Sequence, residues 1–203
     1  ATSGDYTFTT LAPPPPPPPT SITVFKKWSL AIGNFLTSNF AGPAIGSDGT
    51  IYASGTDYHV YAVNSDGTQK WRFKTDNSYP SSPVIGNNGI IYASGTKLYA
   101  INPDGTQKWK SSFGTFYSNA PVLGSDGTIY AGGAGGDGKL YAINSDGTQK
   151  WIFDKGNTSG FMSLAIGADG TIFGTAGFGF YAVNANGTKK WSLELNDDGG
   201  LGH

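Results

Sequence analysis

The chain of 203 residues contains no cysteine. That single absence removes thiol nucleophiles, thiolate metal sites and disulfides together. Histidine is almost as scarce, with only His59 and the terminal His203, so a histidine-based metal site is disfavoured. Charge is thin as well: charged residues make up 13% of the chain, and 13 Lys and Arg against 14 Asp and Glu leave a net charge of -1. With no basic surplus to neutralise phosphates, nucleic-acid binding is not expected, nor is electrostatic adhesion to a membrane. No apolar run approaches the roughly 20 residues of a spanning helix, so membrane insertion is not expected either. The N-terminus lacks the charged-then-apolar order of a signal peptide, and the chain reads as a mature product or a fragment.

What the sequence has in quantity is punctuation. It holds 31 glycines and 12 prolines beside 37% hydrophobic residues, a composition that predicts a turn-rich, all-β protein. The octet "NSDGTQKW" at 64–71 recurs letter for letter at 144–151, and "NPDGTQKW" at 102–109 and "NANGTKKW" at 184–191 fill the roughly 40-residue intervals. Such a period marks a structural repeat. All five tryptophans belong to it: Trp71, Trp109, Trp151 and Trp191 close the octets, and Trp28, in "FKKWSL", stands one interval earlier.

Each unit reads as four strands: one ending in "PVIG" or its variants, one like "TIYAS", one like "KLYAIN" and one like "TQKWRF". Asp-Gly pairs at 48–49, 66–67, 104–105, 126–127, 146–147 and 169–170 supply the positive-φ positions that tight hairpins need. A calcium role for these aspartates is the sharper alternative, but each turn offers a single carboxylate where a calcium loop alternates several. In the fourth strand Gln69, Trp71 and Phe73 share one face while Lys70 and Arg72 share the other, which suits an outermost strand. The second strand is apolar on both faces and suits a sheet lying between sheets. Four-stranded sheets stacked face to face at this period predict an all-β fold, a β-propeller with four complete blades at about residues 40–73, 80–111, 118–153 and 161–195.

The repeats resemble those of the pyrroloquinoline quinone (PQQ)-like β-propeller family, whose tryptophan-docking motif runs Ala-x-Asp-x-x-Thr-Gly-x-x-x-Trp. Here the pattern is Ala62-x-Asn64-x-x-Gly67-Thr68-x-x-Trp71 and three further copies, with Asn for Asp, Gly-Thr inverted and one residue fewer before the tryptophan. The resemblance spans about residues 24–195. It implies that Trp71, Trp109, Trp151 and Trp191, with Trp28 as their N-terminal counterpart, dock blade upon blade. It also implies a choice of function. The enzymes of the family carry PQQ and calcium beside an adjacent cysteine pair, a catalytic aspartate and a cluster of calcium ligands. This chain has no cysteine, and its non-repeat acids (Asp57, Asp76, Asp137, Asp154, Asp197, Asp198 and Glu194) lie on different units. No catalytic residue, metal site or cofactor is therefore assigned, and a fragment of a quinoprotein dehydrogenase is the least favoured reading. The noncatalytic members act as scaffolds.

Residues 1–20, "ATSGDYTFTTLAPPPPPPPT", form a separate arm. Seven consecutive prolines make an extended spacer of about 20 Å, and "DYTFTT" alternates like a strand and resembles the closing strand of a fibronectin type III module. "VFKKWSL" at 24–30 reads as a fourth strand without its first three, although the last unit already has its own. One strand is surplus. A ring missing blades, two chains pairing into eight blades and a closed four-bladed monomer remain as alternatives.

Length variation is confined to two of the four connections. Tyr61, Tyr99, Tyr141 and Tyr181 stand 10 residues before their tryptophans, and Gly46, Gly86, Gly124 and Gly167 stand 5 before their isoleucines. Isoleucine to tyrosine runs 10, 8, 12 and 9, and tryptophan to the next glycine anchor 18, 15, 15 and 16. Antiparallel strands send alternate loops to opposite ends, so one face of the propeller is uniform and the other varies. Variable loops on a fixed scaffold carry binding. The candidate residues there are Tyr58, His59, Asp76, Tyr79, Phe116, Tyr117, Asp137, Asn157 and Phe161. Each has a plainer reading: Tyr79, Phe116, Tyr117 and Phe161 as packing between blades, His59 as a solvated hairpin residue. The expected function is a noncatalytic extracellular, cell-surface or periplasmic propeller. It would act as a structural, adhesive or protein-binding scaffold that self-associates through its N-terminal arm, with carbohydrate binding as the alternative.

Overall fold

The computed structural model describes residues 27–31, 41–76, 80–116, 119–134, 136–156, 159–195 and 201–202. The predicted arm at 1–20 lies outside them, as do Tyr79, Tyr117 and Asn157. Among the described residues there is no helix, and so none long and apolar enough to cross a membrane.

Blade one consists of β1 (Ala44–Ile45), β2 (Ile51–Ser54), β3 (His59–Val63) and β4 (Gln69–Lys74), hydrogen-bonded in that order. Blade two repeats it with β5 (Val84–Ile85), β6 (Ile91–Ser94), β7 (Leu98–Ile101) and β8 (Gln107–Lys110), and blade three with β9 (Val122–Leu123), β10 (Ile129–Gly132), β11 (Lys139–Ile143) and β12 (Gln149–Asp154). Blade four, β13 (Phe161–Ile166), β14 (Ile172–Ala176), β15 (Gly179–Val183) and β16 (Lys189–Leu195), carries a fifth strand, β17 (Leu201–Gly202), paired to the end of β16. The fold is thus the predicted propeller of four four-stranded antiparallel blades plus an extra strand. The extra ladder strand is β17. Residues 27–31 instead run without strand pairing and bring Trp28 to blade one.

The register explains the repeated "YA" of the third strand. Ala62 faces Trp71 on one side and Tyr52 on the other, and because alanine is small the two rings meet above it, 5.7 Å between centroids. The same row recurs as Tyr92–Ala100–Trp109 at 5.9 Å and Tyr130–Ala142–Trp151 at 5.7 Å, and as Phe173–Ala182–Trp191 at 6.0 Å. This aromatic row is the trailing face of each blade. It packs on the opposite, leading face of the next, where the other half of the period-two pattern lies.

Three cores result, one per junction: Tyr52, Val60 and Ala62 against Ile91, Tyr99 and Ile101, Tyr92, Leu98 and Ala100 against Ile129, Tyr141 and Ile143, and Tyr130, Leu140 and Phe153 against Phe161, Ile172 and Tyr181. Among the described residues no core cluster joins blade four to blade one.

Candidate functional site

The Asn-x-Asp-Gly turns between third and fourth strands show why this chain departs from the motif it resembles. Asp66 Oδ1 accepts from both the backbone N–H and the hydroxyl of Thr68, at 2.9 and 2.7 Å, while Asn64 Nδ2 donates to the same hydroxyl oxygen at 2.9 Å. The threonine hydroxyl is thereby satisfied in both directions, and the pattern repeats at 102–106, 144–148 and 184–188. These bonds hold Asp66, Asp104 and Asp146 below the ordinary carboxylate range, the Thr hydroxyl contributing most.

Each such turn is the receptor for the preceding tryptophan. Trp28 Nε1 donates to Ser65 O at 3.0 Å, Trp71 to Pro103 O at 2.8 Å, Trp109 to Ser145 O at 3.0 Å and Trp151 to Ala185 O at 3.0 Å. Glycine is needed beneath the indole for two reasons at once. Gly105 has φ 88°, and a Cβ there would lie 2.7 Å from Trp71 Cγ. Trp28, Trp71, Trp109 and Trp151 therefore each lie on the receptor turn of the unit that follows. Trp191 does not: it is 42% exposed, with no turn beneath it among the described residues.

On the same, uniform face the turns after the first strands are tied differently. Asp48 Oδ1 accepts the Thr50 N–H at 2.9 Å, and its Oδ2 receives the Thr50 hydroxyl at 2.7 Å and Lys70 Nζ at 3.3 Å. Asp126 with Lys150 and Asp169 with Lys190 repeat the arrangement. The Thr50 bonds, with Lys70 behind them, hold Asp48 at about 2 against an ordinary 3.8, and the matching bonds hold Asp126 at about 2. Asp169 lies lower still, chiefly through Lys190. Blade two breaks the pattern, since Asn88 and Ile90 stand where the others have Asp and Thr.

On the variable face the predicted acids serve the third-strand tyrosines. Tyr61 OH donates to Asp57 Oδ2 at 2.5 Å and Tyr141 OH to Asp137 Oδ2 at 2.7 Å, while the Asp76 N–H donates to Tyr99 OH at 3.0 Å and its Oδ1 accepts the Thr96 N–H at 3.1 Å. Burial raises all three phenols, Tyr99 to about 12, and for Tyr61 and Tyr141 the bonded carboxylate adds to it. His59 is more covered than its expected solvated position, its side chain 17% exposed, with Nδ1 2.8 Å from Asp57 O and 3.2 Å from Asp57 Oδ2. The other carboxylate oxygen of Asp57 is buried without a hydrogen-bond partner. Tyr58 takes φ 68°, and its carbonyl accepts both the N–H and the hydroxyl of Thr75 at 2.9 Å.

Phe116 and Phe161 leave the candidate face altogether. Both are fully buried, and each sets its ring edge against a third-strand tyrosine, Phe116 on Tyr141 at 5.4 Å and Phe161 on Tyr181 at 5.6 Å. The reason is position: Phe116 precedes a first strand and Phe161 opens one, and both rings fall into the wedge between blades. Of the remaining candidates, Asp137 lines a cavity of about 540 Å³ between blades two and three, whereas Tyr58, His59 and Asp76 belong to a separate cluster on blade one and its exit.

Two lining residues of that cavity escaped the sequence reading. Phe113 stacks on Tyr141 at 5.7 Å and 25°, and Lys97 Nζ donates to Gly114 O at 2.7 Å. Phe113 sits one residue before the loop that length variation marks, which is the signal that was available. The uniform face is not closed either: repeated clefts of about 500 and 280 Å³ lie beside Tyr52 and Tyr92.

Ties between blades near the first strands were also illegible in sequence. Ser54 Oγ donates to Ser81 O at 2.6 Å and Ser94 Oγ to Asn119 O, while Asn119 Nδ2 donates to Phe161 O at 2.7 Å.

Solved structures of similar shape include a streptogramin B lyase (TM-score 0.66, 16% identity, covering 81% of this chain and 61% of that one). BamB from Moraxella catarrhalis is similar with TM-score 0.63 and 16% identity, over 82% of this chain and 55% of that one. The quinohemoprotein alcohol dehydrogenase ADHIIG from Pseudomonas putida HK5 is similar with TM-score 0.68 and 16% identity, over 77% and 34%. At these identities the likeness shows the fold, and the chain spans less than two thirds of each structure's length. No curated protein matches the sequence. The family model described as "Outer membrane protein assembly factor BamB" matches residues 57–201, well over half of the chain, and the protein therefore belongs to that family.

Proposed function

We propose that the chain is a noncatalytic propeller scaffold that binds protein outside the cytoplasm, at the cell surface or in the periplasm. The observation that carries this reading is the use made of the variable-face acids. Asp57, Asp76 and Asp137 tie third-strand tyrosines and neighbouring turns in place, a structural duty that favours a rigid presenting surface over acid-base chemistry. Membership of a family described by outer-membrane protein assembly supports protein as the partner class and the extracytoplasmic location.

A second reading, carbohydrate binding, is favoured by the cavity of about 540 Å³, where the half-buried Phe113 ring lies beside Lys97 and Asp137. Sugars bind on such pairings of an aromatic face with polar groups.

One experiment separates the classes. The intact chain and its Phe113→Ala variant are compared in affinity capture from extracytoplasmic extract, on a glycan array, and in dye-linked alcohol oxidation with added PQQ and calcium. Reproducible capture of one protein, lost in the variant or in a chain lacking residues 1–20, supports the scaffold. Glycan binding without protein capture supports the second reading, and turnover of dye overturns both.

A further inference from the structure

The pentapeptide "KKWSL" occurs twice, at 26–30 and at 189–193. The repeat does not force this identity, because the other tryptophans continue as Trp-Arg-Phe, Trp-Lys-Ser and Trp-Ile-Phe. The two copies meet different fates. Trp28 lies on Gly67, where a Cβ would come within 2.6 Å of its Cγ, and donates to Ser65 O at 3.0 Å, so it occupies blade one's receptor turn with the geometry of a true blade junction. It does so without a blade behind it, since residues 27–31 join no sheet. Trp191, in a complete blade, has a trailing face and no receptor among the described residues.

The exposed face is of the kind the other junctions bury. Val60, Leu98 and Leu140 are each 0% exposed, whereas the equivalent Phe180 is 39% exposed. Leu193 beside it is 44% exposed and Trp191 42%, all in one aromatic and aliphatic row with Phe173. On blade one the receiving side is closed in the single chain, with Tyr61 at 5% and Val63 at 4%.

We propose that the N-terminal KKWSL is a built-in plug. It mimics the edge of blade four, fills the docking cleft at Ser65–Gly67, and on leaving lets that cleft accept blade four of a second copy head to tail. The receptor and its ligand sequence are then both present in one polypeptide, and Trp28 decides which copy of the ligand is bound. A head-to-tail contact of this kind closes into a ring or continues as a filament. The inference stands apart from the scaffold reading, because it concerns only contacts between copies of this chain.

Sedimentation of the full chain tests it. The wild type runs as a 21.2 kDa monomer. Trp28→Ala shifts it, in a concentration-dependent way, to at least twice that mass. Adding Trp191→Ala returns the monomer, and so does adding Gly67→Ala, which obstructs the receptor. Where Trp28→Ala costs the cooperative melt, Trp28→Phe keeps the ring and loses the N–H donor. A labelled peptide of residues 186–195 then binds the Trp28→Phe chain and not its Gly67→Ala derivative. The proposal is overturned if the opened chain stays monomeric and leaves the peptide unbound, if association ignores Trp191, or if the wild type already associates with Trp28 in place.

Discussion

Leu140 in β11 and Phe180 in β15 hold the same position in successive blades, yet Leu140 is fully buried and Phe180 is 39% exposed. Their blades share register, turn chemistry and an aromatic row: Tyr130–Ala142–Trp151 in one, Phe173–Ala182–Trp191 in the other. Only what lies beyond them differs. Blade three is followed by a turn whose glycine admits the indole and whose Ala185 carbonyl accepts its N–H, and blade four by none among the described residues. A blade in this protein thus makes its own sheet, but the burial of its trailing face is a property of the pair. Most of the stability of such arrays resides in these nearest-neighbour junctions.

The sharpest way to break the comparison is to spoil a receptor. Gly105→Val puts a β-branched residue at φ 88° and drives its Cβ into the Trp71 ring. It should cost about 3–4 kcal/mol from backbone strain and overpacking together. Chemical unfolding should show blades one and two uncoupled, and a loss below about 1 kcal/mol would mean that the docked indole contributes little.

Removing the ligand of a covered junction comes next. Trp109→Ala deletes a half-buried ring, its contact with Tyr92 and its bond to Ser145 O, and should cost about 2–3 kcal/mol, somewhat under the usual range for a fully buried aromatic.

Acid should act on covered and uncovered blades alike, since Asp48, Asp126 and Asp169 make the same bonds in blades one, three and four. Their folded-state values lie below the ordinary 3.8, Asp48 and Asp126 at about 2. The stability they contribute is therefore complete above about pH 4 and disappears as the pH falls through about 2. The melting temperature should drop across that window. The triple replacement Asp48→Asn, Asp126→Asn, Asp169→Asn should flatten the drop while still folding, because Asn88 already closes the blade-two turn through its Oδ1, 3.2 Å from Ile90 N. An unchanged acid profile in the triple variant would assign the transition to other groups.

The smallest effect is expected at Trp191→Ala in the wild-type chain. With no receptor bond to lose among the described residues and only its contacts with Phe173 and Phe180 deleted, it should cost about 1 kcal/mol. A cost equal to that of Trp109→Ala would show blade four covered in solution.

How far the sequence carried the site is instructive at single residues. The docking role of Trp71, Trp109 and Trp151 was legible only through the resemblance of their octets to the tryptophan-docking motif, because the turn that receives each indole lies one unit further along the chain. Phe116 and Phe161 were legible only as a pair of alternatives, packing between blades or a place on the binding face, because an aromatic residue in a loop has the same letters whether it faces solvent or the wedge between sheets. Nor could spacing show that Asp57 and Asp137 would each receive a tyrosine hydroxyl from two strand positions away from the turn, or that Lys97 and Phe113 would line one cavity.

By itself the sequence determined the blade. Period-two alternation, Asp-Gly turns and an alanine between two aromatics are local rules, enforced by backbone sterics within about 40 residues. Tertiary structure decided which faces are covered, since burial depends on a neighbour supplied from another part of the chain. It decided in particular that of the tryptophans in two identical KKWSL segments Trp28 is docked and Trp191, among the described residues, is bare, a difference written nowhere in the five letters themselves.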